Sequence, residues 1–542
     1  MGHPTTIPTG EALDLDLPAD PVLADPVLLD FELSTLDPAY AADLRQSLGL
    51  HEHPFRWSLA RKTYVLVFPF FAATLAAYAA GSYGAINGYF EPELSNVSFN
   101  LGITVFVLGF GLAPILLALV SELYGRYWVF VGAGTVFFFG TLGCALSQSL
   151  AAMLVSRLIT GTGASVFATL TGGVVGDLFP KAQRNTPMAL YSLAIIGGSG
   201  LGPLISGIAA QRLVWRWVFY LQTIFVGVAT AGLLLCFRET RANVLLARNC
   251  KMLNVHIEGR APGPDDTGLP SQAGRAEDPD KAKDAAETPE AAATGLLAAP
   301  NRFHAPGPDS GSLIATLGSS FSFPLKLLVT ESIVFWFSAW VSFAWAMLYM
   351  QFSSIHVVYT NVYGFDGLQI GAIYATVITG AVVGCVSCIA YDRVLQRHFA
   401  RFTAIPESRL YFSCFGSLLL PAGLFWFGFT ARPDIHWMVP TVAIGTFEAG
   451  IFIIYLAVFN YFVDTYTVYA SSALAAQSMC RNMLAGVFPL FTASMFGSLG
   501  YAKAGSLLGA IAVALSFVPW VLVFYGETIR KRSSFAQHLA GA

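Results

Sequence analysis

The stretch RLITGTGASVFATLTGGVVGDLFPKAQRNTPMALYSLAIIGGSGLGPLISG, residues 157–207, decides the fold. It contains two apolar segments joined by a short polar hinge at residues 177–184. The second segment carries many glycines and one proline, a load that a soluble helix would not tolerate. A helix packed among others in lipid uses such small residues for close backbone contact. The stretch therefore predicts a helical hairpin within a membrane.

The composition of the whole chain agrees with this prediction. Of 542 residues, 55% are hydrophobic and 12% are charged, about half the charged share of a soluble protein. The net charge of −3 does not set topology, which follows the placement of lysine and arginine. Seven scattered cysteines indicate no disulfide framework, and Cys385 and Cys388 are interpreted as packing residues in an apolar helix. No metal site and no cofactor are predicted.

Twelve apolar segments are each about 20 residues or longer, which is enough to cross a bilayer as a helix. We number them spans 1 to 12. Their predicted ranges are 63–88, 97–120, 127–147, 150–177, 186–210, 217–237, 328–352, 367–391, 409–430, 437–461, 472–498 and 503–526. The fold class is therefore an all-α membrane protein with twelve transmembrane helices in two six-helix bundles, a layout typical of transporters built from repeats.

The polar segments divide the chain into five predicted parts. Residues 1–60 are a disordered cytosolic tail, and residues 61–238 form the N-terminal six-helix bundle. Residues 239–326 are a cytosolic linker, largely disordered because its centre is rich in proline, alanine, glycine and acidic residues. Residues 327–527 form the C-terminal bundle, and residues 528–542 are a cytosolic tail.

The basic residues predict the orientation. One side of the predicted membrane carries most of the lysines and arginines outside the spans, whereas the other carries only Arg212, Arg216, Arg432 and Lys503. The positive-inside rule then places both termini and the linker in the cytosol. The glycosylation sequon at Asn96 falls on the outer side, but its closeness to span 2 argues against its use. A plasma-membrane location is expected.

The first motif with a chemical signal is the short loop between spans 2 and 3, SELYGRYW. It contains Glu122, Gly125 and Arg126. An acid beside an arginine at a helix end can pair across the bundle and meet a helix dipole, which favours a gating role. The alternative is that Arg126 only anchors the loop at the cytosolic surface, which explains the charge but not the spacing.

Arg157 is the second signal. Span 4 begins near Leu150, so Arg157 lies about two helical turns inside it. A charge at that depth needs a partner or water, which favours a functional buried charge. The alternative is an interfacial arginine whose side chain extends to the lipid headgroups.

The third signal is GSGLGPLISG in span 5. Gly198 and Gly202 form a GxxxG face, and the motif ends at Gly207. Pro203 is expected to kink the helix and to leave a backbone carbonyl without its helical hydrogen bond. The alternative is a packing motif without a role in transport.

These motifs resemble those of the major facilitator superfamily, and in particular the twelve-span drug:proton antiporter family common in fungi. The resemblance covers roughly residues 50–535. It is carried by SELYGR at 121–126, Arg157 with Gly161 and Gly163, Gly198 to Gly207, WRWVFY at 215–220, PESRL at 406–410, and the runs at 448–466 and 481–491. It implies alternating access, with a solute exchanged for protons, and it links Arg157 to proton coupling.

The second half holds the candidate solute determinants. Glu448 lies near the middle of span 10, where an isolated carboxylate is either protonated or paired. Its alternatives are a proton- or cation-binding role and a protonated packing residue. The other tentative solute-binding residues are Trp345, Tyr349, Gln351 and Asn460. Asp464 and Arg481 are interpreted as a gate pair.

We therefore predict a proton-coupled exporter of a small metabolite, either an organic acid such as a dicarboxylate or a secondary metabolite. The alternative solutes are drugs or toxicants and polyamines, although a polycation needs more acidic groups than Glu448 alone. A non-transporting receptor with the same fold is a remote alternative. No nucleophile motif or histidine cluster indicates an enzyme. The expected partners are a small solute, protons and the lipid bilayer, with no nucleic acid, and the expected state is a monomer.

Overall fold

The structure is a computed structural model. It describes residues 27–28, 31, 45, 47–87, 96–260, 303–304, 324–398, 407–466 and 470–532. Residues 1–52 and 245–307 make up a small unit, and residues 53–244 and 308–542 make up the main one. In the small unit, Val27–Leu28 pairs in parallel with Phe303–His304, and the Asn249 side chain exchanges hydrogen bonds with the His51 backbone.

Twelve helical segments among the described residues are long and apolar enough to cross a membrane. The first six are Leu59–Ile86, Asn96–Tyr124, Arg126–Leu146, Leu150–Leu178, Asn185–Arg212 and Arg216–Cys236. The last six are Ser332–Tyr363, Gly367–His398, Leu410–Thr430, Met438–Tyr466, Ala470–Leu499 and Tyr501–Arg532. This confirms the predicted all-α membrane protein with twelve transmembrane helices in two six-helix bundles. The numbering of spans 1 to 12 is kept.

Helix Ala242–Arg260 lies inside the stretch predicted as a linker, and helix Tyr501–Arg532 continues into the stretch predicted as a C-terminal tail. Most of the N-terminal tail, the centre of the linker and residues 533–542 lie outside the described residues. The side chain of Asn96, the predicted glycosylation site, also lies outside them, although its backbone begins span 2.

Span 7 differs most from its predicted range. Helix Ser332–Tyr363 runs eleven residues beyond the predicted end at 352, and it stops at Gly364, which has a φ of +66°. The extension is polar, but Tyr359 bonds to Thr441 of span 10 at 2.6 Å, which buries it against another helix. His356 and Tyr359 therefore lie on a helix rather than in a loop.

The spans differ in how much of their surface is buried. In spans 7 and 10, 83% of the most apolar window is buried, against 39% in span 12. Spans 1 and 5 are also mostly buried. A span that is buried on most sides must pack among other helices, whereas span 12 leaves an apolar face for lipid. Spans 1, 5, 7 and 10 therefore contribute most of the buried interior.

Span 4 crosses span 2 at a point that admits no side chain. A Cβ on Gly161 would collide with the Phe106 backbone carbonyl, whereas a Cβ on Gly176 of the same span would meet nothing within 4 Å. We expect Gly161→Ala to lower the melting temperature in detergent, because such overpacking costs about 1–3 kcal/mol. Gly176→Ala is the matched control and should leave the melting temperature unchanged or raise it. Equal melting temperatures of the two variants would contradict this packing.

Candidate functional site

The loop between spans 2 and 3 is held by carboxylates from two other segments. Arg126 Nε donates to Asp177 Oδ2 at 3.1 Å. The Glu239 carboxylate accepts the backbone N–H groups of Arg126 at 3.0 Å and of Tyr127 at 3.2 Å. The first amides of a helix have no partner within it and form the positive end of its dipole. Glu239 therefore caps span 3 from the end of span 6.

Gly125 is required by this arrangement. Its φ is +97°, and a Cβ would collide with the Glu239 carboxylate. Asp177, rather than the neighbouring Glu122, forms the ion pair with Arg126. Glu122 lines a cavity of about 60 Å³ that also reaches Arg126 and Arg481. Sequence reasoning missed Asp177 and Glu239. Glu239 lies three residues after the end of span 6, at the first position of the stretch predicted as a linker, where no apolar pattern marks it.

The predicted pair of Asp464 and Arg481 is not formed. Asp464 Oδ2 lies 3.9 Å from Lys181 Nζ, on the loop between spans 4 and 5. Arg481 lies 11 residues into helix Ala470–Leu499, so about 16 Å along its axis. Asp464 lies two residues before the end of span 10. The two side chains are therefore at different depths, which the sequence separation did not reveal.

The two bundles contact each other at both ends. We call the end that carries Arg126 and Lys181 the basic end. There, Asn460 Nδ2 donates to Asn185 Oδ1 at 2.7 Å. Asn460, one of the tentative solute-binding residues, thus forms a contact between the two bundles.

At the opposite end, span 2 bonds to span 11 through Asn100 Nδ2 to the Pro489 carbonyl at 2.9 Å. Thr104 Oγ1 donates to the Gly486 carbonyl at 2.8 Å in the same contact. A cavity of about 270 Å³ lies at this end between spans 1, 5, 7 and 8, and His356 lines it.

Arg157 lies about two turns into span 4 from its Leu150 end and is 0% exposed. Its Nη1 donates to the Ala79 carbonyl of span 1 at 2.8 Å, and its Nε donates to the Gly102 carbonyl of span 2 at 3.2 Å. The guanidinium carbon lies 4.4 Å from the Phe106 ring centroid. Its Nη2 is buried and has no hydrogen-bond partner among the described residues. One donor of this buried cation is therefore available to another group.

The span-5 motif packs through its backbone on two sides. A Cβ on Gly198 would lie 2.6 Å from the Thr74 carbonyl, and one on Gly202 would lie 2.6 Å from the Tyr78 carbonyl, both on span 1. A Cβ on Gly207 would lie 3.1 Å from the Gly367 carbonyl on span 8. Pro203 lies inside the continuous helix Asn185–Arg212. Span 5 thus bridges the two bundles through glycine surfaces.

Span 7 carries three of the predicted solute-binding residues, and the structure places them in two groups. Trp345 stacks on Tyr455 of span 10, with centroids 5.2 Å apart, and Tyr349 lies 6.3 Å from Trp345. The Arg481 guanidinium carbon is 4.4 Å from the Trp345 ring centroid. We call Arg481, Trp345, Tyr349 and Tyr455 the central aromatic group.

Glu448 and Gln351 form the second group. Gln351 Nε2 donates to Glu448 Oε2 at 3.1 Å, and both side chains are 0% exposed. Glu448 Oε1 is buried without a hydrogen-bond partner in the part of the chain that the structure describes. Span 8 packs against the base of this side chain, since a Cβ on Gly380 would lie 2.9 Å from Glu448 Cβ. A carboxyl group with a free buried oxygen can hold a proton, and a carboxylate there would be poorly solvated.

Comparisons with known proteins find a matching family model, related sequences and a solved structure with a similar fold. The family model of the Major Facilitator Superfamily matches residues 34–489. The efflux pump atB of Aspergillus terreus is 32% identical over 435 residues, 79% of this chain and 83% of its own. The probable drug/proton antiporter YHK8 of Saccharomyces cerevisiae is 28% identical over 449 residues, 82% of this chain and 79% of its own. The xylose transporter XylE of E. coli, in a partially occluded inward-open conformation, aligns over 85% of this chain and 98% of its own, with a TM-score of 0.55 and 14% identity.

Proposed function

Because the chain belongs to the Major Facilitator Superfamily, whose members are transporters rather than enzymes, we propose that it is a proton-coupled exporter. It moves a small metabolite, an organic acid such as a dicarboxylate or a secondary metabolite, out of the cytosol by alternating access. Efflux pumps and a probable drug/proton antiporter among its relatives support this direction and this coupling. The basic end then faces the cytosol, together with both termini, and the plasma membrane is the proposed location.

The observation that carries the proposal is Arg157. A fully buried cation that binds two carbonyls and leaves both N–H groups of Nη2 without a partner among the described residues is costly to bury, which favours a functional role over a packing role. It lies beside the contact of spans 2 and 11, because Gly102, whose carbonyl it binds, lies between Asn100 and Thr104, so a rearrangement of that contact would reach it. Glu448 is the described carboxylate best suited to carry the exchanged proton.

Transport in inside-out membrane vesicles tests the proposal. Acidifying the vesicle interior should drive uptake of a solute that the cell secretes, and a protonophore should abolish the uptake. A deletion strain should retain this solute, and comparing its extracellular metabolites with those of the parent would identify it. Uptake that is insensitive to the proton gradient would contradict proton coupling.

Drug or toxicant efflux is the second candidate, and the aromatic rings around Trp345 support it, because flat amphipathic molecules stack on such surfaces. Polyamine efflux receives less support. Two buried arginines, Arg157 and Arg481, would repel a polycation, and Glu448 is bonded to Gln351.

The contact at the basic end yields a prediction about gating. Asn460→Ala removes the buried bond to Asn185, which is worth about 1 kcal/mol, or roughly fivefold in the equilibrium between closed and open forms. We expect about fivefold faster labelling of a cysteine at Ala475, which lines the cavity at this end, by a water-soluble maleimide. Thr446→Ala is the control on the same span, because its hydroxyl bonds only within the helix. Unchanged labelling in Asn460→Ala would show that this bond does not hold the gate.

A further inference from the structure

Arg481 is a buried cation with little compensation. The residue is 2% exposed, and the hydrogen bond of its guanidinium goes to Ser478 Oγ at 3.3 Å, one turn away on the same helix. Its Nε is buried without a hydrogen-bond partner, and it forms no ion pair with a carboxylate among the described residues. Contacts with the Trp345 and Tyr455 rings offset only part of the cost of burying the charge.

A second free donor lies beside Arg481. The indole N–H of Trp345 is buried and has no hydrogen-bond partner in the described part of the chain. Trp345 stacks on Tyr455 with an interplanar angle of 24°, so the two rings offer parallel apolar surfaces. The Arg481 guanidinium carbon lies 4.4 Å from the Trp345 ring centroid and 5.2 Å from the Tyr455 ring centroid, so the cation touches both rings. Arg481 Nε and the Trp345 N–H are therefore two buried donors of one group that lack acceptors among the described residues.

The central aromatic group is connected to one end of the protein. Arg481, Tyr455 and Phe459 line the cavity that extends to Glu122 and Arg126 at the basic end. At about 60 Å³ this cavity admits a few water molecules and no larger solute. A solute would reach Arg481 when the contacts at the basic end open.

We infer that Arg481 and Trp345 form a subsite for the carboxylate of an organic anion that carries a flat apolar body. This inference rests on the proposed exporter function and specifies its solute. A guanidinium binds a carboxylate through parallel N–H donors, and the indole N–H supplies a further one. The rings of Tyr349 and Tyr455 then hold the apolar body. A neutral solute of the same shape leaves these buried donors unpaired and binds more weakly.

The test measures binding by the purified full-length protein at pH 7.5, where carboxylic acids are ionised. The probes are pairs of one acid and its amide: benzoate with benzamide, and naphthalene-1-carboxylate with its amide. For at least one pair we expect the acid to bind wild-type protein about tenfold more tightly than the amide. Arg481→Gln should reduce this ratio to about one, and Arg481→Lys should retain part of it.

Trp345→Phe is the second variant, because it keeps an aromatic ring and removes the N–H together with the five-membered ring that bears it. The amide of each pair then reports the loss of ring contact that acid and amide share. Trp345→Phe should lower the preference for the acid without abolishing it. Size-exclusion chromatography checks that each variant is folded. The inference is wrong if no acid binds wild-type protein more tightly than its amide, or if Arg481→Gln keeps the preference. Binding needs no proton gradient, so these results are independent of the vesicle assay. If the protein exports acid and amide equally in a proton-driven manner, the subsite is refuted and the proposed exporter function is not.

Discussion

Replacing Arg157 by alanine is expected to abolish proton-driven export while the protein still reaches the membrane. The substitution removes the charge together with the bonds to the Ala79 and Gly102 carbonyls. A hydrogen bond from a charged donor contributes about 1.5–3 kcal/mol, which corresponds to at least tenfold in rate if the bond is needed in the transition between states. The loss of the charge itself should remove what remains of the coupling.

Matched variants separate function from folding. Arg157 joins spans 1, 2 and 4, so the melting temperature of each variant must be measured with its transport rate. Arg157→Lys keeps the charge, but an ammonium on a flexible stem does not reproduce the planar fork of donors, and partial activity is expected. Thr162→Ala on the same span removes a hydroxyl bonded only to Leu158 and should leave transport unchanged. Wild-type rates in vesicles that carry Arg157→Ala would refute a coupling role.

Glu448→Gln is expected to separate solute movement from proton movement. The glutamine carbonyl can still accept the bond from Gln351, so the buried contact is kept while the exchangeable proton is lost. Uptake driven by a pH gradient should fall by about tenfold or more and lose its dependence on pH. Counterflow, in which labelled solute exchanges for unlabelled solute without net proton transfer, should remain close to that of the wild type.

Glu331→Gln is the control for this prediction. It removes a carboxylate at the start of span 7, whereas Glu448 lies in the interior of span 10. Its pH profile should match that of the wild type. If Glu448→Gln transports with an unchanged pH profile and solute range, Glu448 is a packing residue. If counterflow is lost together with proton-driven uptake, Glu448 holds the solute or the fold rather than the proton.

The spans were predictable because each is a local pattern. A helix needs about 20 consecutive apolar residues to cross the bilayer, and such a run can be recognised without knowledge of the fold. The end of span 7 was the exception, since its polar residues are stabilised by contacts such as Tyr359 with Thr441, which no local pattern contains.

The candidate site was only partly predictable for the same reason. Arg157 and Glu448 were identified because a charge in an apolar run is costly wherever the helix packs. The partners of Arg126, which are Asp177 and Glu239, lie 51 and 113 residues away, and only the fold brings them together. The predicted partner of Arg481 was wrong, because Asp464 lies near the end of span 10 whereas Arg481 lies about 16 Å into the next helix. The association of Arg481 with Trp345 required the packing of span 11 against span 7.

The glycine contact between spans 5 and 8 has a kinetic consequence. Gly207 meets the backbone of Gly367 and Gly371, so no side chains interlock there, whereas the side chains of Val377 and Ile378 pack against Gly200. Two interdigitated helices must change rotamers before they shift, whereas two smooth backbones can slide in small steps. Movement of span 8 past Gly207 should therefore need few rotamer changes. The activation barrier to reorientation should then arise mainly from the polar bonds broken at either end.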